Sequence, residues 1–311
     1  MAIRLSIIIP AHNEGARLEE GLSRLFPVID SLGRDAVEVI VIDDGSSDDT
    51  GLRASQLLAS LPHSLVVKME QNGGKGAALK LGVSIALGEQ IIITDADTAI
   101  NPSQIPNLLA DLTGADMAVG TRAINGAIRY DSVLRTLAGS QFNRLVRRWT
   151  TTTVRDTQCG FKGFHAPIAR LFAIFGQVDG FAFDAEWLYL ANRLGLNVAT
   201  TFVTWDDVAG STVSLGRHAW RMLRDIRDVP KTSYRTVVVR VDKGAVNAEA
   251  VATACKQSRI QGVVLAHSAT QDIVVLPRDG APGALGIAKV CGGEMGLMSI
   301  DELRGCSFEV L

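Results

Sequence analysis

Ile91-Ile92-Ile93-Thr94-Asp95-Ala96-Asp97 is the stretch on which the reading of this chain turns: an apolar run closed by two carboxylates one residue apart. Such a run reads as a buried parallel strand whose C-terminal end meets solvent, the edge at which open α/β sheets bind ligands. Asp-x-Asp at that edge suits a hard divalent cation, Mg2+ or Mn2+. Carboxylate oxygens are its preferred donors, and the ion keeps places free for phosphate oxygens, so a nucleoside diphosphate is the natural partner. The plainer alternative is a solvated turn, and the neighbouring segments have to separate the two.

Toward the N-terminus the same form recurs. Leu5 to Ile9 reads as a strand stopped by proline, then a polar turn, Pro10-Ala11-His12-Asn13-Glu14, opening an amphipathic helix with Leu18, Leu22 and Leu25. Val37 to Ile42 runs into Asp43-Asp44-Gly45-Ser46-Ser47-Asp48-Asp49-Thr50. An acid there either accepts hydrogen bonds from a base or ribose or simply caps the next helix. After Leu65 to Lys68, Asn72-Gly73-Gly74-Lys75-Gly76 offers backbone amides and a lysine to phosphate, ahead of a helix through Leu79, Val83 and Leu87. The spacing is not that of a Walker motif. No G-x-G-x-x-G follows the first strand, so a dinucleotide-binding reading loses its support.

Toward the C-terminus, Met117 to Arg122 is a short strand ending in arginine. From Arg129 to Arg155 six arginines (Arg129, Arg135, Arg144, Arg147, Arg148, Arg155) face one acid, Asp131. That is either a solvated helix face or a second phosphate site beside the first. Arg155 to Phe164 mixes charge, glycine and aromatics too densely for an ordinary loop. Phe181 to Trp187 opens a helix with Asp184 and Glu186 in its first turn, as dipole partners or as a catalytic pair. Val203 to Ser211 ends one more strand with a polar loop. In Leu215 to Arg227, Leu215, Ala219, Met222, Leu223 and Ile226 share one arc and Arg217, Arg221, Arg224 and Arg227 lie opposite. Such a helix packs on the core with a solvated basic face or lies in a membrane interface.

With 311 residues, 47% of them apolar, the chain is long enough for one large domain and a small one. A break at Pro230 to Tyr234 predicts domains 1–230 and 236–311. In the second, strand-like runs at Val237 to Val239, Val263 to Leu265 and Ile273 to Leu276 and helix-like patterns at Val246 to Lys256 and Ser299 to Arg304 predict a small β-α-β-β-α module of the α+β class. Gly280 to Gly286 is expected as a loop, and removal of everything after Tyr234 is expected to leave soluble protein that binds its nucleotide. A net charge of −2 gives no global attraction to nucleic acid or to an anionic membrane. Cys159, Cys255, Cys291 and Cys306 show no C-x-x-C spacing, which favours reduced thiols in a cytosolic compartment and implies no zinc site. Neither a secretory leader nor a membrane span is expected.

The order Pro10-x-His12-Asn13-Glu14, Asp43-Asp44-Gly45-Ser46-x-Asp48-x-Thr50, Gly73-Gly74-Lys75-Gly76, Asp95-x-Asp97 and Gly120-x-Arg122 resembles family 2 glycosyltransferases of the GT-A fold. Asp156-Thr157-Gln158-Cys159-Gly160-Phe161-Lys162, Phe183-Asp184-x-Glu186 and the Trp205 to Ser211 segment are most similar to dolichyl-phosphate β-glucosyltransferases and their prokaryotic polyprenyl-phosphate relatives. The resemblance covers about residues 3–215. It implies an α/β, Rossmann-like, mostly parallel sheet flanked by helices. It also implies an inverting, metal-dependent hexosyltransferase that moves glucose from a UDP-sugar to a polyprenyl or dolichyl phosphate.

Residue by residue, the resemblance puts Pro10, His12, Glu14, Ile42 and Asp44 around uracil and ribose, with Lys75, Asp95 and Ala96 also on the nucleotide-sugar. Asp95 and Asp97 hold Mg2+ or Mn2+. Asp97, Arg122, Asp184 and Glu186 are the catalytic candidates, and Arg135, Gln158, Lys162 and Ser211 the acceptor-phosphate contacts. Two departures stand out: Thr212 occupies the place where relatives often carry lysine, and the hydrophobic C-terminal helices of some relatives are absent. A soluble hydroxyl acceptor, activated by Asp184 or Glu186, and a non-catalytic nucleotide-sugar-binding protein are the alternatives. A nucleotidyltransferase is disfavoured because Pro10 to Glu14 stands where its glycine-rich loop is expected. The expected setting is the cytoplasmic face of a membrane, peripherally, with no nucleic-acid partner and homo-oligomerisation open.

Overall fold

Ile7 to Ile9, Val39 to Ile42 and Ile91 to Ile93 are each at most 1% exposed, the two-faced burial that continuous β-branched runs require in a parallel sheet. The computed structural model describes residues 2–124, 127–128, 143–150, 152–204, 217–257, 260–277 and 284–310. In chain order the first part comprises β1 (Leu5–Ala11), α1 (Gly15–Leu32), β2 (Val37–Asp43), α2 (Thr50–Leu58), β3 (Ser64–Lys68), α3 (Lys75–Ile85), β4 (Gln90–Ile93), α4 (Ile105–Leu112) and β5 (Met117–Thr121). The short strands β6 (Ala123–Ile124) and β7 (Ala127–Ile128) follow, then α5 (143–150). Next come β8 (Lys162–His165), α6 (Ala166–Phe175), α7 (Phe183–Leu194), β9 (Val198–Phe202) and α8 (Arg217–Asp228).

These strands form a seven-stranded sheet in the order β3-β2-β1-β4-β8-β5-β9. It is parallel except for β8, which runs antiparallel between β4 and β5. Alternate residues face opposite layers, as the two-residue strand period demands. Ile7, Ile9, Val39, Val41 and Ile92 pack under α1, α2 and α4. Ile8, Ile40, Ile42, Ile91 and Ile93 pack under α3, α6 and α7. The strand β1 does not stop at Pro10 but continues to Ala11. Its tolerance for proline follows from the ladder: Ile8 accepts from Thr94 N–H on the β4 side, and β4 pairs β1 only as far as Ile8. The missing N–H of Pro10 therefore points past the end of β4 and costs no ladder bond.

The remainder is a five-stranded antiparallel sheet in the order β13-β10-β12-β11-β14. It is built from β10 (Arg235–Asp242), α9 (Ala248–Gln257), β11 (Val264–His267), β12 (Gln271–Val275), α10 (Ala284–Cys291), β13 (Glu294–Ser299) and β14 (Ser307–Val310). Two strands lie beyond the expected β-α-β-β-α order. The stretch expected as a loop, Gly280 to Gly286, instead leads into α10, with 278–283 outside the described residues. Ser299 to Arg304 is not an α-helix but one 3-10 turn, Ile300–Leu303, with a reciprocal Ser299/Glu302 capping box.

One face of this sheet packs under α9 and α10 through Val239, Val241, Leu265 and Val274. The other face, with Val238, Val264, Ala266, Ile273, Val275 and Met298, joins the same apolar cluster as Phe172, Phe175, Trp187 and Leu190 of α6 and α7. Eight of the ten residues of α6 are buried, because the helix lies between two sheets. This shared cluster speaks against the expectation that the tail is dispensable. Ending the chain after Tyr234 would lay bare one long face of α6, and we expect the truncated protein to aggregate or to lose its near-UV circular dichroism. A soluble, monodisperse truncation that binds UDP would overturn this.

Candidate active site

Five polar segments converge at the C-terminal edge of the parallel strands, and the first three are tied together. The Nδ1–H of His12 donates to the Asp44 carbonyl (2.7 Å), in the tautomer that lets Nε2 accept from Asn13 Nδ2 (3.1 Å). Asn13, at φ 54°, donates its N–H to Ser46 Oγ (3.0 Å) and accepts from Ser47 N–H (2.9 Å). Glu14 N–H reaches Thr50 Oγ1 (2.9 Å). The two oxygens of Asp44 accept from Gly73 N–H (2.6 Å) and Gly74 N–H (2.9 Å). Ala77 N–H donates to the Asp179 carbonyl (3.1 Å). Two of the amides expected to face phosphate, those of Gly73 and Gly74, are thus bonded within the protein, and the loop also presents the Lys75 side chain to the site.

Pro10 is partly exposed at the edge. Ile42 requires a correction: its side chain is 0% exposed and packs between Ile8 and α3, so it cannot line a uracil pocket. Glu14 pairs with Arg17 (2.7 Å). Burial, with the charges of Asp97, Asp95 and Asp48, holds its carboxyl above the usual range in spite of that arginine.

After β4 the chain turns sharply. Thr98, buried and β-branched, sits at φ 44°, a conformation costing of order 1–3 kcal/mol and concentrated at functional sites. Asp95 and Asp97 are half-buried on either side of buried Ala96. Gly160 closes over Asp95, since a Cβ there would lie 2.3 Å from its Oδ2. Asp95 Oδ1 receives Lys75 Nζ at 2.5 Å. Burial opposes ionisation of Asp95, yet Lys75, with Lys162 and Arg122, holds its carboxyl below the usual range. Asp97 accepts Ala99 N–H (3.2 Å). Burial and the Asp95 charge push its carboxyl up. Two oxygen-donor acids, one of them held above its usual range, fit a hard dication. Among the described residues no group of three or more His, Cys, Asp or Glu could hold an ion unaided, so diphosphate and water would complete its shell.

Arg122 faces Asp95 and Gln158 across a cavity of about 50 Å³ also lined by Thr94, Ala99, Ile100 and Phe161. Asp156, 0% exposed, holds the guanidinium in a fork, Nε to Oδ2 at 2.7 Å and Nη2 to Oδ1 at 2.8 Å. The sequence reading missed Asp156, although its place in Asp156-Thr157-Gln158-Cys159-Gly160 was the available signal.

Lys162 requires a correction as an acceptor-phosphate ligand. It is 0% exposed, and its ammonium donates to the Asp184 carboxylate and the Cys159 carbonyl. Burial pushes Asp184 up, against Lys162 and Lys75. Glu186 is also 0% exposed and accepts from Gln177 N–H (2.8 Å), Val178 N–H (3.0 Å) and Tyr234 Oη–H (3.1 Å). It ties the loop before α7 to Tyr234 at the start of the second sheet. Cys159 is fully buried, its thiol pushed up to about 12 mainly by burial and by Asp156.

Arg135 and Ser211 lie outside the described residues, as do Arg129 and the Trp205 to Leu215 part of the expected loop and helix. In α8, Met222 and Ile226 pack on Val146, Trp149, Ala182 and Ala185. Leu223 with Leu145 and Trp149 lines an open cleft of about 920 Å³ that Arg221, Arg224 and Arg227 border.

The solved structure of glucosyl-3-phosphoglycerate synthase from Mycobacterium tuberculosis in complex with Mn2+, UDP and glucosyl-3-phosphoglycerate is similar over 73% of this chain and 78% of that one, with a TM-score of 0.53 at 23% identity. That likeness is one of fold, the GT-A architecture. Dolichyl-phosphate beta-glucosyltransferase of Drosophila melanogaster is 33% identical over 73% of this chain and 74% of its own length. The enzyme of the same name from Dictyostelium discoideum is 30% identical over 72% and 73%. The profile of glycosyl transferase family 2 matches residues 6–172. The chain belongs to glycosyl transferase family 2.

Proposed function

We propose that this protein is an inverting glycosyltransferase that moves a hexose, glucose foremost, from a UDP-sugar to a polyprenyl phosphate. The observation that carries this reading is that neither carboxylate near the acceptor side stands ready as a base. Asp184 is engaged by buried Lys162, and Glu186 by two backbone amides and Tyr234. An alcohol acceptor must be deprotonated as it attacks, whereas a phosphate monoester is already anionic at neutral pH. The relatives, named for dolichyl phosphate, support the same acceptor.

In this reading Asp95 and Asp97 hold Mg2+ or Mn2+; solved structures of the same fold contain those ions together with UDP. When bound, the ion stabilises the charge that develops on the departing UDP. Arg122, aimed by Asp156, binds phosphate oxygens beside Asp95 and orients the acceptor for attack from the face opposite the leaving group, which inverts the anomeric centre. We read residues 1–230 as the glycosyltransferase domain and 236–311 as a module sharing its core.

Among the described residues no helix is long and apolar enough to cross a membrane. We place the lipid along the Leu145, Trp149 and Leu223 cleft, with the α8 arginines at the anionic headgroups of a cytoplasmic membrane face, each contributing about 1 kcal/mol. Radiolabelled UDP- and GDP-sugars offered with a short polyprenyl phosphate in anionic vesicles test the proposal. Label from UDP-glucose is expected in the lipid fraction, less at high salt. Transfer to soluble alcohols with none to lipid would overturn it.

A further inference from the structure

Lys75 makes a contact for which phosphate binding gives no reason. Its side chain is 18% exposed, and its ammonium lies against Asp95 Oδ1 at 2.5 Å, with the Phe183 ring centroid 5.6 Å away. Its backbone is pinned on both sides. Gly73 and Gly74 N–H are bound by Asp44, and Gly74 at φ 98° presses so close to Asp179 that a Cβ would come within 2.5 Å of its carbonyl. That loop is anchored in turn through Gln177 and Val178 on Glu186. The neighbouring carboxylate, Asp184, is already claimed by Lys162. Lys75 is therefore a cation built against the first acid of the Asp-x-Asp pair.

A dication on the same carboxylate meets a fixed ammonium a few ångströms away in a partly dry site, where repulsion is screened far less than in water. Phosphate oxygens change the balance, since they attract both cations.

We propose that Lys75 is a resident counter-cation of the donor site. It neutralises Asp95 in the absence of diphosphate, disfavours entry of a divalent cation alone, and turns to phosphate oxygens when the cation arrives with a nucleoside diphosphate. Cation and nucleotide then bind as a unit. This rests on the metal–diphosphate reading of Asp95 and Asp97.

The test is a Mn2+ titration of the full chain, with free Mn2+ followed by electron paramagnetic resonance, with and without UDP, for the parent, Lys75→Gln and Lys75→Arg. The parent is expected to bind Mn2+ weakly alone and at least about tenfold tighter with UDP. Lys75→Gln is expected to bind Mn2+ alone about tenfold tighter than the parent, with UDP adding less. Lys75→Arg is expected to keep the parent pattern. A gain of affinity is not what structural damage produces.

Unchanged or weaker Mn2+ binding by folded Lys75→Gln, while the parent still takes up Mn2+ with UDP, overturns this inference alone. Failure of the parent to bind Mn2+ even with UDP overturns the donor-site reading beneath it. Should Lys75→Gln not fold, Lys75→Met gives the same readout. If neither folds while Lys75→Arg does, Lys75 is a structural partner of Asp95 and the inference falls.

Discussion

Asp97→Ala is expected to lower glycosyl transfer by roughly a thousandfold or more, since losing a metal ligand removes several kcal/mol of leaving-group stabilisation. It is also expected to abolish metal-dependent UDP binding in calorimetry. Stability should not fall with activity. The Asp97 carboxyl is held above its usual range by burial and by Asp95, so at neutral pH its charge opposes folding and its removal leaves the melting temperature unchanged or raised. The structural bond lost is the one accepted from Ala99 N–H at 3.2 Å, in a turn also closed by Thr98 N–H donating to the Asp95 carbonyl (3.2 Å). Near-normal turnover in a folded variant would sink the metal assignment.

Lys162→Ala is expected to act in the opposite way, on the fold first. The lysine is 0% exposed at the start of β8, opposite Ile93, and its removal leaves Asp184 buried without its ammonium. Breaking one side of a buried pair costs about 3–5 kcal/mol, a large share of the roughly 5–15 kcal/mol that holds a typical domain folded. Replacing both partners together, Lys162→Met with Asp184→Leu, is expected to recover much of that loss, because no buried charge is stranded. Denaturant unfolding of the two single variants and the double variant measures this. A single-variant loss below about 1 kcal/mol would show that water reaches the pair.

What was legible in the sequence is what local pattern can encode. The apolar runs gave β1, β2, β4 and β5 to within one or two residues, because strands buried on both faces have little choice of composition. The Asp95/Asp97 turn followed from its place after such a run. Lys162 was not legible. Lys162-Gly163-Phe164-His165 carries no strand signal, and the carboxylate that makes a buried lysine tolerable lies in another element, at Asp184. For the same reason His12 and Asp44 read as ligand contacts, while much of their hydrogen bonding holds loops to one another. Ile42 was placed at a pocket by the family resemblance, which carries over a position but not the direction of a side chain. The helix α10 hid behind glycines, and the shared core of the two sheets behind the break at Pro230.

The reversed strand β8 also sets a clock on biosynthesis. Its residues pair with Ile91 to Ile93 but leave the ribosome about 70 residues later, roughly 4–14 s at ordinary rates of elongation. Throughout that interval β4 can pair natively on its β1 side only, and its other edge is an apolar strand open to wrong partners. The nascent chain thus carries its stickiest edge exposed at the segment on which its chemistry depends, and a pause in translation between codons 94 and 162 would lengthen that exposure.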